Sequence, residues 1–111
     1  MAGLRAGELN RRVIVFRLDA EDDGLSDDRG NPVEVGKRWM SRMEASDGEV
    51  LRSASLGGVI SARFHARFDT LARSIMPEWQ LQCDGRWYEV TGTKEIGFRE
   101  GIEITAKAIQ R

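Results

Sequence analysis

The chain has little of the chemistry that enzymes and metalloproteins usually require. Its 111 residues include one cysteine, Cys83, and one histidine, His65. A single cysteine excludes a disulfide within the chain and any cysteine-rich metal site. A single histidine excludes the usual zinc sites, which combine several His and Cys ligands. We therefore expect neither a metal site nor a cofactor.

Long apolar runs are also missing. The longest covers residues 13–16, whereas a membrane-spanning helix needs about 20 residues. The first residues lack the apolar segment of a secretion signal, so we expect a protein of the reducing cytoplasm or of a particle assembled there. Lys and Arg number 17 against 18 Asp and Glu. This near balance predicts no general attraction to nucleic acid or to a membrane surface.

What the sequence does contain is an alternation of apolar and polar residues, which is typical of strands with one buried face. From residue 60 to residue 68 every even-numbered residue is apolar and every odd-numbered one is polar, and residues 102–108 alternate in the same way. Asp84-Gly85 lies between two further apolar segments and predicts a tight hairpin, because a type I′ turn needs positive φ at both central residues.

Residues 33–45 show a similar pattern. It predicts one core face and one solvent face for this strand. The predicted core face consists of Val33, Val35, Trp39, Met43 and Ala45. The predicted solvent face consists of Glu34, Arg38, Arg42 and Glu44. Trp39, like the other two tryptophans, is expected to anchor either the core or an interface.

One segment departs from the β pattern. Ser46 and Glu49 are spaced as a capping box, apolar residues follow at helical spacing, and Gly57-Gly58 supplies a stop. This predicts a short helix of about three turns. The chain as a whole is predicted to be mainly β, a small β-barrel or sandwich of about six strands with one short α-helix, in a single domain over residues 1–111.

Residues 19–31 hold six acidic residues and one arginine. Their opening resembles a calcium-binding EF-hand loop, but Glu21 at the third position and Gly30 at the twelfth depart from that pattern. We expect a solvated loop that contacts a partner. Its candidate contact residues are Asp19, Glu21, Asp22, Asp23, Asp27 and Asp28.

A candidate basic face consists of Arg63, His65 and Arg67, which alternate with apolar residues on one strand. This stripe is either a solvated strand face or a contact surface for protein or passing DNA. A nucleic-acid-binding sheet would add exposed aromatic residues, whereas the local phenylalanines alternate onto the other side. His65 has no partner acid at local spacing, and Cys83 falls on an apolar face. The sequence therefore predicts no catalytic residue and no enzyme.

Several segments in a fixed order resemble the phage head-tail joining proteins, also called head-completion, stopper or adaptor proteins. The similarity covers the full chain. The segments are Gly7-Glu8-Leu9-Asn10-Arg11-Arg12-Val13, the strand with Trp39, the helix from Ser46 to Gly57, the strand with Arg63 and Arg67, the hairpin from Asp84 to Val90, and the strand from Ile102 to Ala108. Similar proteins occur in prophages and in gene-transfer-agent particles.

The resemblance implies a structural protein of the virion neck, assembled in the bacterial cytoplasm. Such a protein forms a ring of six or twelve copies between the portal or adaptor ring and the tail terminator or tail tube. It closes the packaged head, and DNA passes through the channel without sequence-specific binding; no membrane is involved. The alternative is a small β-barrel module that binds nucleic acid or a peptide.

A stopper also needs a segment that gates the channel. Two segments qualify, the acidic loop of residues 19–31 and the glycine-flanked helix. The helix is favoured, because glycines let a short helix refold as a ring forms. Its candidate gate residues are Asp47, Gly48, Glu49, Leu51, Gly57 and Gly58.

Overall fold

The computed structural model describes residues 8–19, 31–45 and 61–110, together with Gly48. Six strands and one short helix make up this part of the chain. They are β1 (Arg11–Asp19), β2 (Asn31–Glu44), β3 (Ala62–Arg67), α1 (Thr70–Ser74), β4 (Gln80–Cys83), β5 (Arg86–Ile96) and β6 (Gly101–Ile109). The mainly β prediction is confirmed.

The strands form a closed antiparallel barrel in the order β1-β2-β3-β6-β5-β4. Each strand pairs with two neighbours, and β1 closes the barrel by pairing with β4 as well as with β2. Closure leaves none of the six described strands with a free edge for pairing with another chain. The structure thereby selects the barrel over the sandwich, a choice that alternation alone left open.

The barrel interior follows the predicted alternation in β3 and β6. Phe64, Ile104 and Ala106 are fully buried, and the Phe64 and Tyr88 side chains meet edge to face with ring centroids 5.2 Å apart. The β4–β5 hairpin also turns as predicted. Asp84 and Gly85 have φ values of 53° and 78°, the left-handed conformation that a type I′ turn requires.

The predicted faces of β2 are wrong over most of the strand. Val15 pairs with Gly36 and Phe16 pairs with Glu34, so Val35 is an extra residue that forms a β-bulge. One inserted residue exchanges the two faces for everything that follows.

Beyond the bulge, Met40 is therefore fully buried, while Trp39 is 53% exposed and Met43 is 42% exposed. Arg38 and Arg42, predicted to face solvent, lie on the side of Met40, and both are half-buried.

The helix α1 was not predicted. Asp69 caps it by accepting a hydrogen bond of 2.7 Å from the Ala72 backbone N–H, which satisfies one of the free donors of the first turn. The buried side of α1 includes Ala72, and the Leu71 side chain packs over Gly36, where a Cβ atom would lie 2.8 Å from Leu71 Cδ2. The predicted helix over residues 46–57 lies outside the described residues except for Gly48, whose backbone is helical.

Candidate interaction surfaces

The predicted basic face lies on the outside of β3. Arg67 is exposed, and Arg63 and His65 are half-buried. Strand β2 flanks them, with Met43 opposite Arg63 and Ser41 opposite His65. The structure therefore places the three residues together on one outer surface, as the alternation predicts.

His65 has an acidic partner that local spacing did not reveal. Glu103 lies opposite it on β6, and His65 Nε2 is 3.1 Å from Glu103 Oε1. Lys94 Nζ lies 3.2 Å from the other carboxylate oxygen. Burial opposes ionisation of Glu103, but the hydrogen bonds from His65 and Lys94 outweigh it and hold the pKa of this carboxyl below its usual range.

Ser41, His65 and Glu103 thus form a row across three strands, and these are the residue types of a hydrolase triad. A triad needs a hydrogen bond between the nucleophile and its base. Within the described part of the chain, the Ser41 hydroxyl makes no such bond to His65. The contacts that are present are those of an ion-pair network joining β3, β6 and β5.

Exposed Trp39 lies beside a groove next to the basic face. The groove has a volume of about 480 Å³ and is lined by Leu9, Arg38, Trp39, Arg67 and Asp69. Two of its side chains are already paired, because Arg38 Nε donates to Asp69 Oδ2 at 2.8 Å. Arg67 forms no ion pair with any other described residue. We call this feature the Trp39 groove.

The guanidinium of Arg12 lies 5.3 Å from the centroid of the Trp39 ring. A cation over an aromatic face is a favourable contact, and it fixes the ring on the surface. The basic face therefore does have an exposed aromatic neighbour, contrary to the expectation from alternation. The bulge in β2 produces this difference.

A second exposed aromatic residue occupies the turn between β5 and β6. Phe98 is 81% exposed. Gly97 and Arg99 on either side have φ values of 59° and 56°, and the Arg99 guanidinium lies 5.4 Å from the Phe98 ring centroid. We call residues 97–100 the β5–β6 tip. Sequence reasoning missed it, although Gly97 and Gly101 flank three residues between two apolar segments, which is a hairpin signal.

Charged side chains also gather around the β4–β5 turn. Arg11 Nη1 lies 2.8 Å from Asp84 Oδ2, and Arg42 Nη1 lies 3.7 Å from the same oxygen. Arg42 also donates to the Tyr88 hydroxyl at 3.4 Å. This cluster links β1 and β2 to the β4–β5 hairpin, which is a structural role.

Cys83 is buried, as its apolar alternation predicts. Burial raises the pKa of its thiol, and the neighbouring Asp84 carboxylate acts in the same direction, so this cysteine is a packing residue rather than an activated nucleophile. No three His, Cys, Asp or Glu side chains of the described ranges come together as a metal site. Nor does any helix within those ranges have the length and apolarity to cross a membrane.

Two predicted sites fall outside the described residues. Of the acidic segment, only Asp19 and Asn31 belong to the described chain, as the paired ends of β1 and β2. Of the candidate gate, only Gly48 is described. Both sites therefore stay predictions from sequence.

Comparison with known proteins identifies a family and a similar fold. Residues 4–109 match the sequence profile of the family described as phage head completion protein. The solution structure of protein SF1141 from Shigella flexneri 2a is similar, with a TM-score of 0.62 and 18% sequence identity over 95% of this chain and 96% of that one. This likeness concerns the fold alone. Among curated proteins there is no significant match.

Proposed function

The chain belongs to the phage head completion protein family, a structural family of the virion, and from this premise we propose that it forms a ring between the portal or adaptor and the tail. In that position it closes the packaged head and offers the docking surface for the tail. The observation that carries the proposal is the family match itself, which spans all six strands of the barrel.

The surface of the barrel supports a role in assembly. Two of the exposed large apolar residues, Trp39 and Phe98, each have an arginine guanidinium over the ring. Tryptophan and arginine are the residue types that most often contribute binding energy at protein interfaces. Because each described strand is paired on both sides, contacts of the barrel with other proteins use side chains rather than the backbone groups of a free sheet edge.

A particle-producing strain tests this function directly. Without this protein, we expect heads that package DNA, lose it again and carry no tails. The wild-type chain supplied from a plasmid should restore tailed particles, and the matched variant Cys83→Ala should do so too. Tailed particles that keep their DNA in the absence of the chain would contradict the proposal.

We also propose that the glycine-flanked segment that includes Gly48 is the gate that closes the channel. Deletion of residues 47–56 should give tailed particles that leak DNA after packaging, because the barrel would remain while the closing element is lost. Encapsidated DNA measured after nuclease treatment provides the readout. Full retention by the deletion would exclude this segment as the gate.

One observation favours a second candidate, a barrel that binds single-stranded nucleic acid. Trp39 is exposed beside Arg12 and near Arg67, and bases stack on such aromatic side chains. Binding of this kind would weaken steeply with salt and would be lost in Trp39→Ala. Fluorescence titration with a labelled oligonucleotide decides between the two, and the neck-protein proposal expects no binding at physiological salt.

A further inference from the structure

We propose that neighbouring copies of this chain join head to tail, with the β5–β6 tip of one copy seated in the Trp39 groove of the next. Phe98 is the apolar anchor, and Glu100 of the tip pairs with Arg67 of the groove. The inference rests on the proposed ring and adds to it the two surfaces that form the contact.

The tip presents an aromatic side chain that the rest of the described chain leaves uncovered. Phe98 is 81% exposed, although a phenylalanine gains most when its ring is removed from water. The ladder pairs Ile96 with Gly101 on one side of the turn, and Glu100 N–H donates to the Ile96 carbonyl. The tip is therefore held by a regular hairpin and presents Phe98 in a fixed position.

The Trp39 groove has the complementary form. Trp39 is only half covered by its own chain, and it stands beside buried Leu9 in the wall of the groove. An aromatic ring that enters there would meet an aromatic face and an aliphatic side chain. The two aromatic rings would pack offset or edge to face, the arrangements that aromatic pairs prefer.

Charge supplies the argument for a second copy as the occupant. Arg67 in the groove and Glu100 at the tip each lack an ion-pair partner among the described residues. The remaining groove charges, Arg38 and Asp69, already neutralise each other. A tip from another copy would therefore bring the Glu100 carboxylate to the Arg67 guanidinium, two groups without an ion pair among the described residues, and this pairing fixes the orientation of the contact.

The symmetry of such a contact suits a ring. Tip and groove are different surfaces of the same molecule, so their contact is heterologous, and heterologous contacts that close by rotation generate rings. A tip of four residues in a groove lined by five offers little area for contact, whereas stable interfaces usually exceed about 1,000 Å² in total. We therefore expect this contact to be weak between free chains and to accumulate only where a template holds copies side by side.

Disulfide trapping between two differently tagged chains detects a weak contact. Only disulfides that join one tagged chain to the other are counted. One chain carries Thr70→Cys, since Thr70 is exposed and follows the groove residue Asp69. The other, with a different tag, carries Arg99→Cys at the tip. Cys83 is buried and does not compete. The control replaces the second chain with Arg86→Cys, at the opposite end of β5, about 33 Å from the tip along the strand.

We expect the tip pair to give at least a tenfold higher yield of mixed disulfide than the control pair. Phe98→Ala in the tip chain should reduce the yield to the control level. Arg67→Glu in the groove chain should do the same, and Glu100→Arg in the tip chain should then restore it. Equal yields from tip and control pairs, or a failure of the charge exchange to restore trapping, would overturn the inference.

The same variants separate this inference from the proposed function. If Phe98→Ala and Arg67→Glu chains both restore tailed particles that keep their DNA, the protein is a neck protein whose copies join elsewhere. If the disulfide yields of the tip pair and of these variants are as expected, but strains without the chain still make normal particles, the contact between copies is real and the neck function is wrong.

Discussion

Trp39 and Phe64 are aromatic residues of adjacent strands with opposite surroundings. Phe64 is fully buried, whereas Trp39 is 53% exposed. Phe64→Ala should cost roughly 3–5 kcal/mol of unfolding free energy through lost burial and the cavity left behind. Trp39→Ala should cost at most about 1 kcal/mol, mostly through the lost contact with Arg12. Urea unfolding of the two variants measures both values, and a larger loss in Trp39→Ala would show that the β2 faces are wrongly placed.

Glu103 gives a second prediction at the residue scale. Its pKa is lowered in the folded chain, so its contribution to stability is present above the pKa of the unfolded chain and is lost as the pH falls through the folded value. Wild type should therefore be more stable than Glu103→Gln near neutral pH, and the difference should shrink on acidification.

Denaturant unfolding at a series of pH values measures this dependence. Glu100→Gln is the matched control, since Glu100 has no ion pair within the described residues, and its difference from wild type should stay small throughout. A pH-independent difference between wild type and Glu103→Gln would show that the carboxylate gains nothing from His65 and Lys94.

At the scale of elements, α1 depends on its cap because it has only five residues. Asp69→Ala removes both the cap and the ion pair with Arg38, and we expect a loss of about 1–2 kcal/mol. Asp69→Asn keeps an N-cap residue and removes only the half-exposed ion pair, which is worth about 0–1 kcal/mol. Thermal unfolding of both variants compares them, and equal losses would assign the effect to the ion pair instead.

The bulge at Val35 shows how one residue changes the role of a whole element. Without it, Trp39 and Met43 would face the barrel interior and Met40 would face water. With it, Met40 fills the core and Trp39 lines a groove. The Trp39 groove is therefore a consequence of strand pairing and not of any surface motif in the sequence.

At the scale of the whole molecule, the barrel buries its own core and closes its own sheet. We expect a monomer in dilute solution that assembles only on the portal or adaptor, because the proposed contact between copies is small. Light scattering at widely separated concentrations measures this. A discrete, tight dimer at every concentration would contradict both the expectation and the head-to-tail contact.

The sequence by itself determined the fold class, the buried face of β3 and β6, the β4–β5 turn and the family, all of which are confirmed. These features depend on local information: side chains of a strand alternate with period two, and a type I′ turn needs particular residues. The family is likewise identified from local information, namely short motifs that occur in a fixed order along the sequence.

Only the tertiary structure decided which residues meet across strands. It paired His65 with Glu103, 38 residues away, brought Arg67 to Trp39 in one groove, and exchanged the faces of β2 through the bulge at Val35. The physical reason is that strand register is set by the whole barrel, whose six strands must close at once. Alternation shows that a strand has two faces, but a one-residue insertion decides which of them is buried.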